Sequence, residues 1–415
     1  MTERFDIAVL GAGVVGVSTA LHLQQRGRRV VLIDRRAPGE ETSYGNSGII
    51  ESSSVLPYGF PSVAQVWSIL RDRDTAARTD LRHLGKVLPF VLGLRRYTLG
   101  DGRMKTARAI RPLTANGLEE HRVLMNDAGA AHLLSERGWS KLFRTKAGFE
   151  ADALNRKAMQ ECDIAFEVLD AAEFKSTLEP HIVGEFHRAV WLKDTATITN
   201  PGKLIKAFAD LFATNGGSIR SGDAKSLNSG ASGEWHLQTN DGDVVSPEVV
   251  VALGPWSMDV LKPLGYRYPL GIKRGYHRHY QPVGDAVLNR SFVDMENGFV
   301  IAPMEQGYRI TTGAEFTDRD AKPTTVQLDR ALPLARELFP LGEPAEPASW
   351  LGSRPCMPDS LPIVGRAAEH AGLWLNIGHG HLGLTLGPVT GRLLAEMMTG
   401  AQTLCDPSPF RSNRF

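Results

Sequence analysis

Cysteine is scarce in this chain: Cys162, Cys356 and Cys405 are the only three in 415 residues. They form no CxxC pair and no Cys/His ligand spacing. That argues against a disulfide framework or a zinc site and makes a reducing cytosol the expected compartment. An excess of either charge is also missing. The 47 Lys and Arg face 46 Asp and Glu, for a net charge of +1. With no basic block, nucleic acid is not an expected partner. Short arginine clusters at 26–29 and 71–73 are interrupted by glycine or aspartate and read as solvated faces. No apolar run approaches the roughly 18 residues that span a bilayer, and no signal-peptide pattern precedes the first strand. A cytoplasmic protein, peripheral at the inner membrane at most, is expected. Repeats and low-complexity tracts are absent as well, and the length allows two domains with a large core.

What is present starts at once. Residues 5–10 are an apolar run of strand length. Residues 14–25 carry Val14, Val17, Ala20 and Leu21 at helical spacing. Between them Gly11 permits a tight turn, Gly13 lets the backbone approach a pyrophosphate, and Gly16 allows helix and strand to pack closely. The helix start at Val14 and Val15 offers free N–H groups and a positive dipole end to phosphates. A second strand, 29–33, ends at Asp34, whose carboxylate suits ribose hydroxyls, with Arg35 beside it. This β-α-β unit predicts dinucleotide binding and leaves FAD and NAD both open.

A polar loop follows at 41–48. Ser43, Asn46, Ser47 and Gly48 suit phosphate and ribose, although Tyr44 and Asn46 would also serve simply to build a turn. A Ser/Pro-rich stretch runs to Ser62. Residues 62–130 have a mostly helical pattern with breaks near Pro89 and Pro112. A strand is expected over 190–198, then a helix opened by Asn200-Pro-Gly and stopped by Asn215-Gly-Gly. Strands at 218–221 and 235–238 come next. Residues 249–253 read as a buried strand ending in Gly254-Pro-Trp256. There Ala252, Gly254 and Trp256 allow a close cofactor approach, or simply an ordinary turn. Residues 266–345 alternate in β fashion and predict an antiparallel sheet carrying a substrate site.

The chain then gives a strand at 372–377, the loop Gly378-His-Gly380-His-Leu-Gly383, and a helix over 387–398. Such a loop aims N–H groups and a positive dipole end at one point. In a flavoenzyme that point stabilises negative charge on the reduced ring. Gly378, Gly380, His381, Leu382 and Gly383 are therefore expected cofactor contacts, and His379 a contact of ring or substrate. NAD enzymes require no second site of this type, so FAD becomes the expected cofactor. Arg354, beside a proline and close to this loop, suits bidentate capture of a carboxylate. Its structural alternative is a pair with Asp359. In the strand around 276–280, Tyr276, Arg278 and Tyr280 share one face and His277 and His279 the other. Alternation does not say which face sees the cavity.

Together these motifs resemble the FAD-dependent D-amino-acid oxidase/dehydrogenase superfamily, and most of all the small subunit of bacterial D-amino-acid dehydrogenase. The matching pieces are the first glycine turn, Glu41-Thr-Ser43 with Asn46-Ser-Gly48, Val251-Ala-Leu-Gly254, Lys273-Arg-Gly-Tyr276, Arg354-Pro with Pro358-Asp359, Pro362-Ile-Val-Gly365, Gly378-His-Gly380 and Leu382-Gly383. Pro57 and Pro61 fall at the family's spacing. The resemblance implies an α/β (α+β) fold with a Rossmann-like FAD-binding domain of the glutathione-reductase type, from 1–80, 150–265 and 346–415. A D-amino-acid oxidase-like substrate domain with a mixed or antiparallel sheet would come from 81–149 and 266–345.

It also implies Arg354 as carboxylate anchor, Tyr276 or His379 as groups orienting the amine, and non-covalent FAD, since the spacing at Cys356 does not match relatives that tether flavin. The implied reaction is oxidation of the C–N bond of a D-amino acid or an N-substituted glycine or imino acid. Hydride passes to flavin N5, and the imine hydrolyses to a 2-oxo acid. The acceptor of the electrons is oxygen or a quinone or electron-transfer protein. Residues 49–55 lack the aromatic and proline residues of the D-amino-acid dehydrogenases, and His277-Arg-His-Tyr280 replaces a more apolar continuation. Side-chain specificity is therefore not carried over. Oxidation of sarcosine, D-proline, hydroxyproline or iminodiacetate stays open, and an extra Arg or His suits a second carboxylate. Two rival readings are an NAD-dependent dehydrogenase using the first motif alone, and a flavin electron-transfer subunit without turnover of its own.

Overall fold

The first apolar run forms the strand Ile7–Leu10, every residue buried, and Val14–Gln25 is the helix that the spacing predicts. The structure, a computed structural model, describes residues 2–57, 59, 63–98, 101–230 and 233–415; Pro61 and Ser62 lie outside it. At the turn, Gly11 has φ of +106°, a conformation that side chains disfavour, and an added Cβ would stand 2.5 Å from the Ala252 carbonyl oxygen. A Cβ at Gly16 would collide with the Gly11 carbonyl, so this third glycine sets how closely the helix lies on the turn.

Six strands make the sheet behind this turn. Their spatial order is Ser218–Ser221, Val30–Asp34, Ile7–Leu10, Glu248–Val251, Leu373–Ile377 and Ile363–Arg366. The first five run parallel and the last antiparallel. The central strands are covered on both faces and therefore read as unbroken apolar runs. The helix Gly383–Thr399 crosses Val14–Gln25 closely, because Gly387 meets Val14 and Gly391 meets Ser18 and Thr19.

A larger mixed sheet of eleven strands forms the second layer system, with the long strand Gly271–Pro282 at its centre. Gly307–Thr311 pairs with one edge of that strand and Trp350–Cys356 with the other, both antiparallel. Leu328, Ala331, Ala335 and Leu338 of the helix Val326–Leu338 close its core with Phe292, Phe299 and Ile310.

Several local expectations change. Pro89 and Pro112 lie inside the helices Leu84–Thr98 and Gly102–Asp127 and do not break them. The longer helix keeps its path because Ile110, Leu113, Leu124 and Met125 hold it to the core on both sides of the missing hydrogen bond. The span 190–198 is two strands, Arg188–Leu192 and Ala196–Ile198. The last helix begins at Gly383, so the second glycine loop feeds directly into its first turn. The expected division of the chain also shifts. Glu167–Leu169, Arg188–Leu192 and Trp350–Cys356, read from sequence as parts of the nucleotide half, pair within the eleven-stranded sheet.

Candidate active site

A single elongated cavity of about 1360 Å³, its open mouth included, runs between the two sheets. Gly11, Gly13, Val14, Val15, Asp34, Arg35 and Ser43 line one end; Arg354, His379, Gly380, His381 and Gly383 line the other. Ala252, Gly254 and Trp256 complete the nucleotide end.

At that end the chain has arranged its own donors and acceptors. Asp34 accepts from the backbone N–H groups of Ala12 at 2.7 Å and Arg36 at 3.0 Å, which fixes its carboxylate at the end of the strand. The Ser43 hydroxyl accepts from Val14 N–H at 3.1 Å and keeps its own proton for a ligand. Arg35 lies 4.5 Å above the Trp256 ring and pairs with Glu41 at 2.8 Å. Asn46 also lines the cavity, and its side chain closes the turn: it donates to Ser43 O and accepts from Gly48 N–H, each at 2.7 Å. These bonds build the turn and leave the second Nδ2–H of Asn46 for a ligand in the cavity. Arg309 holds the loop from below through Asn46 O at 2.6 Å.

Five other expected cofactor contacts do not reach this cavity. Gly16 sets helix packing, and Gly48 passes the Ile198 carbonyl so closely that a Cβ would strike it. Ser47 is outside the cavity lining, while Gly378 and Leu382 line a smaller void beneath the loop, with Cys356 and Ser54. Local glycine patterns mark these positions correctly as tight, but tightness against protein and tightness against ligand look alike in sequence.

At the far end Arg354 donates from Nη1 to Gly313 O at 2.7 Å and from Nη2 to Thr312 O at 3.1 Å. A guanidinium has five N–H donors, so an N–H remains on each terminal nitrogen for a ligand in the cavity. Asp359, the alternative partner, is bound instead by Arg414 at 2.7 Å. Tyr276 needs the clearest correction. It is buried on the opposite face of its strand, where its hydroxyl donates to Glu315 at 2.7 Å and accepts from Arg274 at 2.6 Å. The face toward the cavity carries Lys273, Gly275 and His277, and Gly275 itself lines the wall.

His379 lines the cavity, but its Nε2 lies 3.0 Å from the Thr390 hydroxyl. That hydroxyl already donates to Leu386 O at 2.8 Å, so Nε2 carries the imidazole proton and Nδ1 keeps a lone pair. Burial pushes its pKa down to about 3, and the ring is neutral. His381 shifts in the same direction through desolvation and then the charges of Lys273, Arg354 and Lys141, although about a third of its side chain, 32%, stays exposed. Its Nε2 lies 3.7 Å from Glu51, a buried carboxylate that also accepts from Ser53 at 2.9 Å and Ser54 at 2.7 Å. Burial lowers the pKa of Lys273 to about 8.

His277, His279 and Glu346 lie within 4.8 Å of one another, yet they do not make a metal site. His277 Nδ1 donates to Gly45 O, His279 Nδ1 to Glu346, and His279 Nε2 accepts from the buried Arg309 cation, all at 2.9 Å.

Sequence reasoning missed Gly275, Glu51, Trp350 and Asn376. The last had a signal: an amide inside the apolar run Leu-Trp-Leu-Asn-Ile. Asn376 is buried, lines the cavity, and leaves its Oδ1 with no hydrogen-bond partner among the described residues. An unpaired buried acceptor in a cavity wall calls for a ligand donor.

A dinucleotide cradle joined within one cavity to an arginine-bearing floor defines a dinucleotide-dependent oxidoreductase. The chain belongs to the FAD dependent oxidoreductase family, whose model matches residues 6–397. It is similar to a D-amino-acid oxidase of Bradyrhizobium diazoefficiens, at 29% identity over 100% of both chains. A D-amino acid dehydrogenase of Chromohalobacter salexigens is 30% identical over 99% of each chain. Among solved structures, glycine oxidase from Geobacillus kaustophilus superposes with a TM-score of 0.76, at 22% identity and 99% coverage of both chains. The chain is thus an enzyme with FAD as cofactor, which the glycine-lined cradle and the unpaired Asn376 acceptor fit.

Proposed function

We propose that the enzyme oxidises the C–N bond of an amino acid, either a D-amino acid or an N-substituted glycine or imino acid such as sarcosine, D-proline or iminodiacetate. The observation that carries this reading is Arg354, a carboxylate-binding group with N–H donors to spare in the same cavity as the nucleotide cradle. FAD held along Gly11, Gly13, Ser43 and Asn376 would supply a two-electron acceptor for hydride from the substrate carbon next to nitrogen.

The chain's own part is positioning and electrostatics. Arg354 grips the carboxylate, and its two backbone carbonyl partners keep the guanidinium from turning away. The free N–H groups at the start of the helix Gly383–Thr399 stabilise negative charge arising beside residues 380–383. His379 offers the unprotonated Nδ1 to the amine. No obligatory base is needed once the amine is neutral, and the imine product is converted by water to a 2-oxo acid.

Oxygen or a quinone or electron-transfer protein then takes the electrons. We place the enzyme in the cytoplasm, which its three free thiols support. Among the described residues no helix is long and apolar enough to cross a membrane.

Anaerobic mixing with D-amino, N-alkyl and imino acids should bleach the flavin, and Arg354→Ala should raise KM steeply and lower kcat. Admission of air then separates an oxidase from a dehydrogenase. A flavin that no member of the panel bleaches would leave an electron-transfer subunit as the better reading.

A further inference from the structure

Two threonines stand where the strand Gly307–Thr311 ends, and only one of them has a bonded hydroxyl. Thr312 Oγ1 accepts from the Tyr276 N–H at 2.9 Å. Thr311 is 6% exposed, and its Oγ1 has no hydrogen-bond partner among the described residues. Three other buried hydroxyls there share that condition, on Ser18, Ser140 and Ser360, but none of them lines the elongated cavity, and Thr311 does. A hydroxyl buried without a partner costs stability that a valine of nearly the same shape would not. The fold alone therefore gives no reason for a threonine here, and a ligand does.

The sheet register says which ligand. Thr311 stands directly across from His277, which shares a face of its strand with Gly275 in the cavity wall. The Thr311 side chain is on that same face. The backbone just beyond it belongs to Arg354: Nη2 donates to Thr312 O at 3.1 Å and Nη1 to Gly313 O at 2.7 Å. The guanidinium is thus clamped one residue along the strand from Thr311, and both groups border one space. An ionised carboxylate has about four lone-pair sites, of which an arginine fork fills two, so a hydroxyl proton alongside finds an acceptor. A β-branched side chain has few rotamers, and little order is lost when it binds.

We propose that Thr311 is a second carboxylate-binding residue, its hydroxyl donating to the same substrate carboxylate that Arg354 grips, an assignment that rests on the anchoring role proposed for Arg354. Donors from two strands converging on one group select an ionised carboxylate, so amides and esters of the same amino acids should be poor ligands.

Thr311→Val removes the hydroxyl and keeps the shape. Titration of the flavin-loaded enzyme with acetate, an inert carboxylate followed by the difference spectrum of the flavin, reads binding without turnover. The valine variant should bind acetate about tenfold or more weakly, with flavin content unchanged and with the Tm of the acetate-free protein not lowered. Thr311→Ser should restore the wild-type affinity. With a substrate that bleaches the flavin, KM should rise by a similar factor and kcat should hold, because the bond is made equally before and during the reaction. Wild-type acetate affinity in Thr311→Val, with binding lost in Arg354→Ala, overturns the role of Thr311 and leaves that of Arg354 standing. Wild-type enzyme that binds no acetate, or Arg354→Ala that binds it undiminished, overturns both. A lowered Tm without acetate, or a fall in kcat at constant KM, also overturns the proposal, making the hydroxyl structural in the first case and a partner of the reacting nitrogen in the second.

Discussion

Replacing Gly275 by alanine should impair the enzyme without unfolding it. Gly275 has an ordinary φ and sits across the strand pair from Gly352, so its backbone accepts any residue. The new Cβ, however, would stand 2.6 Å from Arg354 Nη2 and 2.8 Å from Cζ and Nη1. Ordinary contact begins at 3.4 Å, so Nη2 must retreat by about 0.8 Å. The obstructed atoms are the far end of a flexible side chain, and the stability cost should stay below ~1 kcal/mol. The functional cost is larger, because misplacing a substrate-gripping group by 1 Å costs about 100-fold. A drop of about 10- to 50-fold in kcat/KM is expected, ~1.4–2.3 kcal/mol of transition-state stabilisation, with flavin content unchanged. Steady-state kinetics in the Arg354→Ala background complete the cycle: with no guanidinium to displace, Gly275→Ala should be silent there. Wild-type kinetics for the single variant, or the same loss in both backgrounds, would refute the reasoning.

Three further outcomes are expected. Gly11→Ala meets both a φ of +106° and the Ala252 carbonyl at 2.5 Å, so the purified variant should be colourless; a full flavin-to-protein absorbance ratio would contradict the cradle. Lys273→Met should stabilise the protein by up to ~3 kcal/mol at pH 7, from a pKa of about 8 against an ordinary 10.5. The unfolded chain binds that proton more tightly, so wild-type stability gains from this residue as pH rises from about 8 to 10.5. The variant should lack that gain in urea titrations, and identical pH dependence of the two proteins would exclude the effect. Asp359→Asn breaks a buried pair with Arg414 and should cost about 3 kcal/mol of stability while leaving KM unchanged; a KM rise like that of Arg354→Ala would return Asp359 to the substrate site.

What the sequence made legible was local. The first glycine turn, the acid at Asp34 and the strand–loop–helix at residues 373–399 are short-range patterns whose chemistry and geometry coincide, and the structure gathers them into one cavity. Arg354 was legible for the same reason, as a cation fixed next to a proline at a strand end. What escaped depended on partners far away in the chain. Asp359 looked like a neighbour for Arg354, but its cation arrives from residue 414. Tyr276 looked available to the cavity, but Arg274 and Glu315 hold its hydroxyl on the other face.

The strand Gly271–Pro282 shows the deeper reason. Alternation has two faces of equal standing, and Tyr276 drew attention because a phenol has chemistry and a glycine has none. Its hydroxyl is instead part of a buried cluster with Arg274 and Glu315, which neutralises an arginine that would otherwise be stranded in the core of the large sheet. The cavity face needs the opposite property. With Arg354 entering from the adjacent strand, room for its guanidinium exists only where the facing residue has no side chain, and position 275 is glycine. The functional signal on this strand was thus an absence, and an absence becomes readable only when the residue it makes room for has been placed.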